Sequence, residues 1–166
     1  KKFKIKSIIR KKIREKNKIN YIYCDLNKSL KKLNYINFKK IDLLIHLAWS
    51  GLPNHNSKHH IDVNLKNNKK FLSFMIKKGI GRIMVFGTCS ELGKKKGGLN
   101  EKTSSNPLNY YGKSKDLLRK WIFKKFKNKK ITIQWVRLFY IYGPGQHEKA
   151  LLPSLDFALK KKKKNF

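Results

Sequence analysis

The sequence predicts an α/β fold built on a doubly wound, largely parallel sheet. Two observations carry this. Strand-like apolar runs alternate with helix-periodic stretches over most of the 166 residues, and such alternation implies crossover connections and a parallel sheet. The residues best suited to hold a ligand fall where those strands end, at Asp25, Ala48, Thr88 and the segment after Phe139. Open parallel sheets bind ligands at the carboxyl ends of their strands.

Each element follows from its local pattern. "FKIKSII", 3–9, alternates apolar and polar residues, as a strand does. "INYIYCDL", 19–26, reads as a second strand ending at Asp25, and a polar amphipathic stretch over 27–38 reads as a helix. "IDLLIHLA", 41–48, is a continuous apolar run, the pattern of a strand buried on both faces. "WSGLPNHNS", 49–57, carries turn chemistry throughout. Apolar residues Ile61, Leu65, Leu72, Met75 and Ile76 then recur at helical spacing over 59–78, with Gly79 as the stop. "GRIMVFGT", 81–88, is another buried strand, followed by a polar loop over 89–106. Pro107 suits the first turn of a helix running to about residue 126. "ITIQWVRLF", 131–139, is a last strand, broken by "YGPGQ". The tail "LKKKKKNF" reads as a solvated or frayed helix end.

Composition bounds the function. The formal net charge is +33, from 42 Lys and Arg against 9 Asp and Glu. Such a charge suggests nucleic acid or an anionic membrane surface. Yet 37 of those cations are Lys and 5 are Arg, and Ala occurs three times. An A/T-rich coding sequence enriches Lys, Asn and Ile in this way. A phosphate reader would favour the bidentate fork of Arg. The expectation is therefore no nucleic-acid partner and no membrane partner. No apolar run approaches the roughly 18 residues of a membrane span. Cys24 and Cys89 lie in no metal-ligand spacing, which suits a reducing, cytoplasmic setting. His46, His55, His59 and His60 include a pair four apart, but no acid completes a zinc motif. No metal site is expected, and His46 reads as a core histidine.

Tyr111 has Lys115 four residues on. By chance, roughly one Tyr in five would meet Lys there in this composition, and Tyr35 with Lys39 is a second match. Spacing alone decides nothing. Position does: Tyr111 falls about twenty residues beyond the Thr-tipped strand, on the helix after Pro107. Tyr110, whose fourth following residue is Ser114, lacks the lysine.

Taken in order, "CDL", "DLLIHLA", "IDVNLKNNKKFL", "RIMVFGTCSELG", "NEKTSSNPLNYYGKSK" and "VRLFYIYGPGQ" resemble the extended short-chain dehydrogenase/reductases, the NAD(P)-dependent sugar-nucleotide epimerase/dehydratase family. The resemblance covers roughly residues 3 to 155. It implies a Rossmann-like fold and hydride transfer on a nucleotide-linked sugar, and two of the segments resemble members acting on deoxyhexoses. Tyr111 would be the acid/base. A phenol has a pKa of about 10, too high for an efficient base at neutral pH, and a nearby ammonium and the positive nicotinamide ring would lower it. Lys115, on the same helix face, would supply that charge and reach the nicotinamide ribose. Thr88, selected by counting back from Gly93, would orient the substrate; its alternative is a strand-end hydroxyl capping a loop. Ser90 and Glu91 would contact the sugar, with a solvated loop carboxylate the alternative for Glu91.

For the cofactor, the resemblance places Asp25 and Leu26 beside the adenine, and Leu47, Ala48 and Trp49 along the dinucleotide. Asn64 would hold the strand ends from the facing helix, or lie on that helix's surface. Phe139 and Tyr140 would approach the nicotinamide, although the family often has Pro or Tyr at the place of Leu138 and Asn at that of Tyr140. Arg10, with Lys11 and Lys12, follows the first strand. A cation there suits the 2′-phosphate of NADP, whereas NAD-selective folds place an acid. NADP is slightly favoured over NAD. A homodimer through the helices at 59–78 and 107–126 is expected.

One feature of the family is missing. A Gly-rich turn after a first strand should cradle the pyrophosphate, but the first glycine in this chain is Gly51. The sequence therefore reads as an internal fragment, with residues 1–145 a partial NAD(P)-binding domain and 146–166 the beginning of a substrate lobe with a basic tail. It would lack the first strand and the Gly-rich turn, and alone it should bind dinucleotide poorly. Two alternatives stand beside the enzyme: a non-catalytic dinucleotide-binding relative or truncated inactive product, and a basic nucleic-acid-binding domain.

Overall fold

The computed structural model describes residues 3–11, 19–38, 40–146, 148 and 150–161. Strands β1 (Lys6–Ile9) and β2 (Asn20–Tyr23) pair in parallel, with Lys6 opposite Asn20 and Ile9 opposite Tyr23. Strands β3 (Leu44–His46), β4 (Arg82–Thr88) and β5 (Thr132–Leu138) form a second parallel ladder with β4 at its centre. The expected single sheet is thus two ladders, and no described strand joins them. They still share one core. Ile8 and Ile22 of the first pack on the cluster that contains Ile83 and Val85 of the second.

The crossovers of the β3–β4–β5 ladder are helical, the usual link between parallel strands. From β3 the chain enters a π-helical turn, His60–Leu65, which continues as α1 (Lys66–Lys77). Its buried residues Leu65, Phe71, Leu72 and Met75 face the sheet, and Gly79, at φ +94°, ends it. From β4 a 3₁₀ turn, Cys89–Glu91, and a long loop lead to α2 (Tyr110–Lys125), which buries Leu118 and Ile122. A last helix, α3 (Leu151–Lys160), follows β5.

Three local expectations are corrected. The amphipathic stretch after β2 forms only a 3₁₀ turn, Lys31–Tyr35, with Leu33 fully buried. Two leucines, Leu30 and Leu33, anchor it, and so short a segment nucleates an α-helix poorly. Strand β3 is buried on one side only: His46 is inside, whereas Ile45 and Leu47 are 52% and 64% exposed. An unbroken apolar run does not itself report that both faces are covered. Finally, Pro107 does not open α2. Asn109 does: its extended backbone places Oδ1 to accept from the Gly112 N–H at 2.8 Å, the N-cap role that suits Asn.

Candidate active site

The carboxyl ends of β2, β3 and β4 converge. Asp25 follows β2 and turns the chain, its Oδ1 accepting from the Asn27 N–H at 2.9 Å. Leu26 beside it packs on the core. Asn27 then donates to Ser50 Oγ at 3.4 Å, joining this turn to the one after β3. Leu47 and Ala48 are exposed there. Trp49 leans inward, and its indole N–H donates to His60 Nδ1 at 3.1 Å.

Asn64 is no surface residue. It is 1% exposed and sits on the π-helical turn. Its amide donates to the Ser50 carbonyl at 2.8 Å, and its Oδ1 accepts from Ser50 Oγ at 2.8 Å. Asn68, one turn on, donates to the Asn64 carbonyl at 2.7 Å and bonds the ring of buried His46. The sequence reading missed Asn68. Its signal was available: a polar residue four after Asn64, on the face of a helix that crosses a strand containing a histidine.

Thr88 ends β4 and caps the 3₁₀ turn, its Oγ1 accepting from the Ser90 N–H at 3.2 Å. Its side chain also lies close enough to Tyr111 to act on the phenol. This contact requires α2 to lie close, and Gly112 permits it. A Cβ at Gly112 would stand 2.4 Å from the Ser90 carbonyl oxygen, a distance no side chain tolerates. Tyr111 is further held by its N–H on the His55 carbonyl at 3.0 Å, with the two rings stacked at 5.1 Å.

Lys115, one turn after Tyr111, is 4% exposed. Its ammonium donates to the Phe86 carbonyl at 2.7 Å and lies 4.0 Å from the Trp49 ring centroid, a cation–π contact. Burial lowers its pKa to about 8, opposed by the negative charge of Glu91. Burial raises the Tyr111 pKa above its usual value, Thr88 opposes this, and Glu91 and Cys89 add to it. The ammonium is committed to Phe86 and Trp49 and stands 5.9 Å from the phenol ring centre, so desolvation dominates.

Glu91 differs most from expectation. It is fully buried, not solvated. Its Oε1 accepts from the Thr88 N–H at 2.9 Å and the Trp135 indole at 3.1 Å, and its Oε2 accepts from Arg137 Nε at 2.9 Å. The remaining site candidates lie outside this cluster. Arg10 is exposed just beyond β1. Phe139 lines a cleft of about 250 Å³ with Leu92, Trp135 and Arg137. Tyr140 is 91% exposed at φ +33°. Of the chance pair, Tyr35 is 92% exposed, and Lys39 lies outside the described residues, as does Lys12. Tyr110, the rival of Tyr111, faces outward. Among the described residues no group of three or more His, Cys, Asp or Glu is placed to hold a metal, and no helix is long and apolar enough to cross a membrane.

Parallel ladders, helical crossovers and a polar cluster at the strands' carboxyl ends define a Rossmann-like α/β domain. The chain belongs to the NAD dependent epimerase/dehydratase family, whose model matches residues 4–163. It is similar to a dTDP-6-deoxy-L-talose 4-dehydrogenase (NAD(+)) of Aggregatibacter actinomycetemcomitans, at 32% identity over 70% of this chain and 46% of the relative. An ADP-L-glycero-D-manno-heptose-6-epimerase of Brachyspira hyodysenteriae is 28% identical over 76% of this chain and 41% of its own length. Thus the chain spans less than half the length of these two relatives. Among solved structures, an NAD-dependent NDP-hexosamine 5,6-dehydratase of tunicamycin biosynthesis superposes with a TM-score of 0.75 at 19% identity, over 95% of this chain and 54% of the other. A UDP-glucuronic acid 4-epimerase from Bacillus cereus in complex with NAD gives 0.68 at 25% identity, over 86% and 46%.

Proposed function

We propose that this chain carries the catalytic face of an NAD(P)-dependent epimerase, dehydratase or ketoreductase that acts on a nucleotide-linked sugar. The observation that carries the reading is the grouping of Thr88, Tyr111 and Lys115 at the end of β4. The Thr88 side chain lies beside Tyr111, and Lys115 is one helical turn away.

The residues fit a dinucleotide in part. Exposed Leu47 and Ala48, with Trp49, offer a surface at the end of β3, and Asp25 and Leu26 offer one at the end of β2. Lys115 would meet ribose hydroxyls once its contact with Trp49 yields. A glycine cradle for the pyrophosphate is not among these residues. The nicotinamide, when bound, supplies the hydride acceptor or donor. Thr88 orients the sugar oxygen, and Tyr111 moves the proton at that oxygen. With its pKa raised by burial, Tyr111 rests as the phenol, ready to protonate an alkoxide. In the oxidising direction it needs added positive charge nearby, which Lys115 supplies in part. Ser90, beside Thr88, is the further candidate for sugar contact.

Arg10, exposed beyond β1, favours NADP, whereas the talose dehydrogenase and both solved structures carry NAD in their names. Titration with both decides the matter, and tighter NAD binding refutes the argument from Arg10. Residues 1–145 form the cofactor-facing part and 146–166 begin a substrate lobe. The protein is read as a homodimer through α1 and α2, supported by Leu117 and Phe123 exposed on α2. The free thiols Cys24 and Cys89 suit the cytoplasm.

The test is Tyr111→Phe in the protein as its gene encodes it. Turnover of a nucleotide-linked sugar should fall about 10²- to 10⁴-fold, the usual worth of acid/base catalysis, with dinucleotide affinity unchanged. Retained turnover refutes the assignment.

A further inference from the structure

Glu91 is a charged group sealed inside the fold beside the candidate site. Its carboxylate joins three elements. From β4 it takes the Thr88 N–H; from β5, the Trp135 indole N–H and Arg137 Nε. From α2, Arg119 Nε stands 3.6 Å from Oε2, and Arg119 is itself bonded to Asp116 at 2.7 Å. The slot is built to size. A Cβ at Gly87 would stand 2.3 Å from both Glu91 Oε1 and Trp135 Nε1. Burying a carboxylate is costly unless it is paired and hydrogen-bonded, and here both conditions are met. What the arrangement fixes is Thr88. Its backbone is held by Glu91, its Oγ1 accepts from Ser90, and its side chain reaches Tyr111.

Resting on the proposed function, we propose that Glu91 is a positioning residue: it locks the tip of β4 to β5 and α2, holds the Thr88 hydroxyl against Tyr111, and does not bind the sugar. Its charge also acts on the neighbours it does not touch. The groups facing it are Arg137 on β5 and Arg119, Lys115 and Tyr111 on α2. Glu91 raises the Lys115 pKa against the effect of burial, so its removal should make the ammonium easier to deprotonate.

The test uses Glu91→Gln in the protein as its gene encodes it. Lys115 is buried and bonded to Phe86, so its ammonium should be visible in lysine side-chain ¹H–¹⁵N spectra, assigned by its loss in Lys115→Arg. In the native protein it should deprotonate near pH 8. In Glu91→Gln its proton affinity should fall at least about threefold. Turnover should fall at least about tenfold, with KM for the sugar nucleotide within about threefold. A KM rise of tenfold or more at unchanged kcat would make Glu91 a substrate ligand and overturn the proposal. A folded variant with native Lys115 titration and native kcat would leave a merely structural carboxylate, and also overturn it. If Glu91→Gln does not fold, Glu91→Met with Arg137→Met replaces the pair by apolar volume. The Thr88 amide should then exchange at least about tenfold faster, and unchanged exchange refutes the lock. The spectra and the exchange need no turnover, so a failure of the sugar-nucleotide reading remains distinguishable.

Discussion

Acidification from pH 7 to 4.5 should destabilise the fold through His46. This residue ends β3, is 4% exposed, bonds Asn68 and packs on Phe71 at 5.3 Å between ring centres. Burial lowers its pKa from 6.5 to about 4, opposed by the Asn68 bond and assisted by the Lys115 charge. The unfolded chain therefore binds a proton that the folded chain refuses between those two values. Stability is full above about pH 6.5 and is lost as the pH falls toward 4. The gap of 2.5 units (6.5 minus 4), at about 1.4 kcal/mol per unit, corresponds to about 3 kcal/mol in all, and about 2 kcal/mol between pH 7 and 4.5. The assay is urea unfolding at both pH values, for the native protein and for His46→Gln, whose amide can still donate to Asn68. Buried His60, also lowered, contributes equally to both proteins, so the difference isolates His46. Asp116, held low by Lys120, Arg119 and Ser105 against its burial, loses its contribution only below the ordinary carboxylate range. If the two proteins lose the same stability within about 0.5 kcal/mol, less than half the free energy of a one-unit pKa shift, the buried-histidine argument is wrong.

Two further substitutions probe the site's frame. Gly112→Ala sets a methyl 2.4 Å from the Ser90 carbonyl. It should cost about 1–3 kcal/mol and, by moving Tyr111 from Thr88, lower turnover at least about tenfold; thermal unfolding and steady-state rates measure both, and native values would show that α2 can shift freely. Tyr140→Asn relieves a bulky residue at φ +33°. It should stabilise by about 0.5–1 kcal/mol, seen as a raised urea midpoint at constant m-value, and a lowered midpoint would count against strain at this residue.

The strands were legible because apolar runs bounded by turn residues are local signals. The order of the segments around "NYYGKSK" likewise marked Thr88, Tyr111 and Lys115 before any geometry was known. What sequence could not carry was the third dimension of two residues. Glu91 sits in a polar loop of the sequence, yet its partners are Arg119, Trp135 and Arg137, 28 to 46 residues away. No periodicity points to them. His46 and Asn68 are separated by 22 residues and meet only because α1 crosses β3. The resting pKa of Tyr111 was not legible for a related reason. Helical spacing gives the nearness of Lys115 but not the direction of its ammonium, which the Phe86 carbonyl decides.

The open face of β3 has a bearing on how the chain meets other apolar surfaces. Beside β3 the apolar side chains of Ile45 and Leu47 stand open to solvent. Against this works a net charge of +33, whose mutual repulsion reaches about 10 Å at 0.1 M salt and shrinks to about 3 Å at 1 M. Association of copies through apolar surface, the proposed dimer included, should therefore strengthen as salt rises.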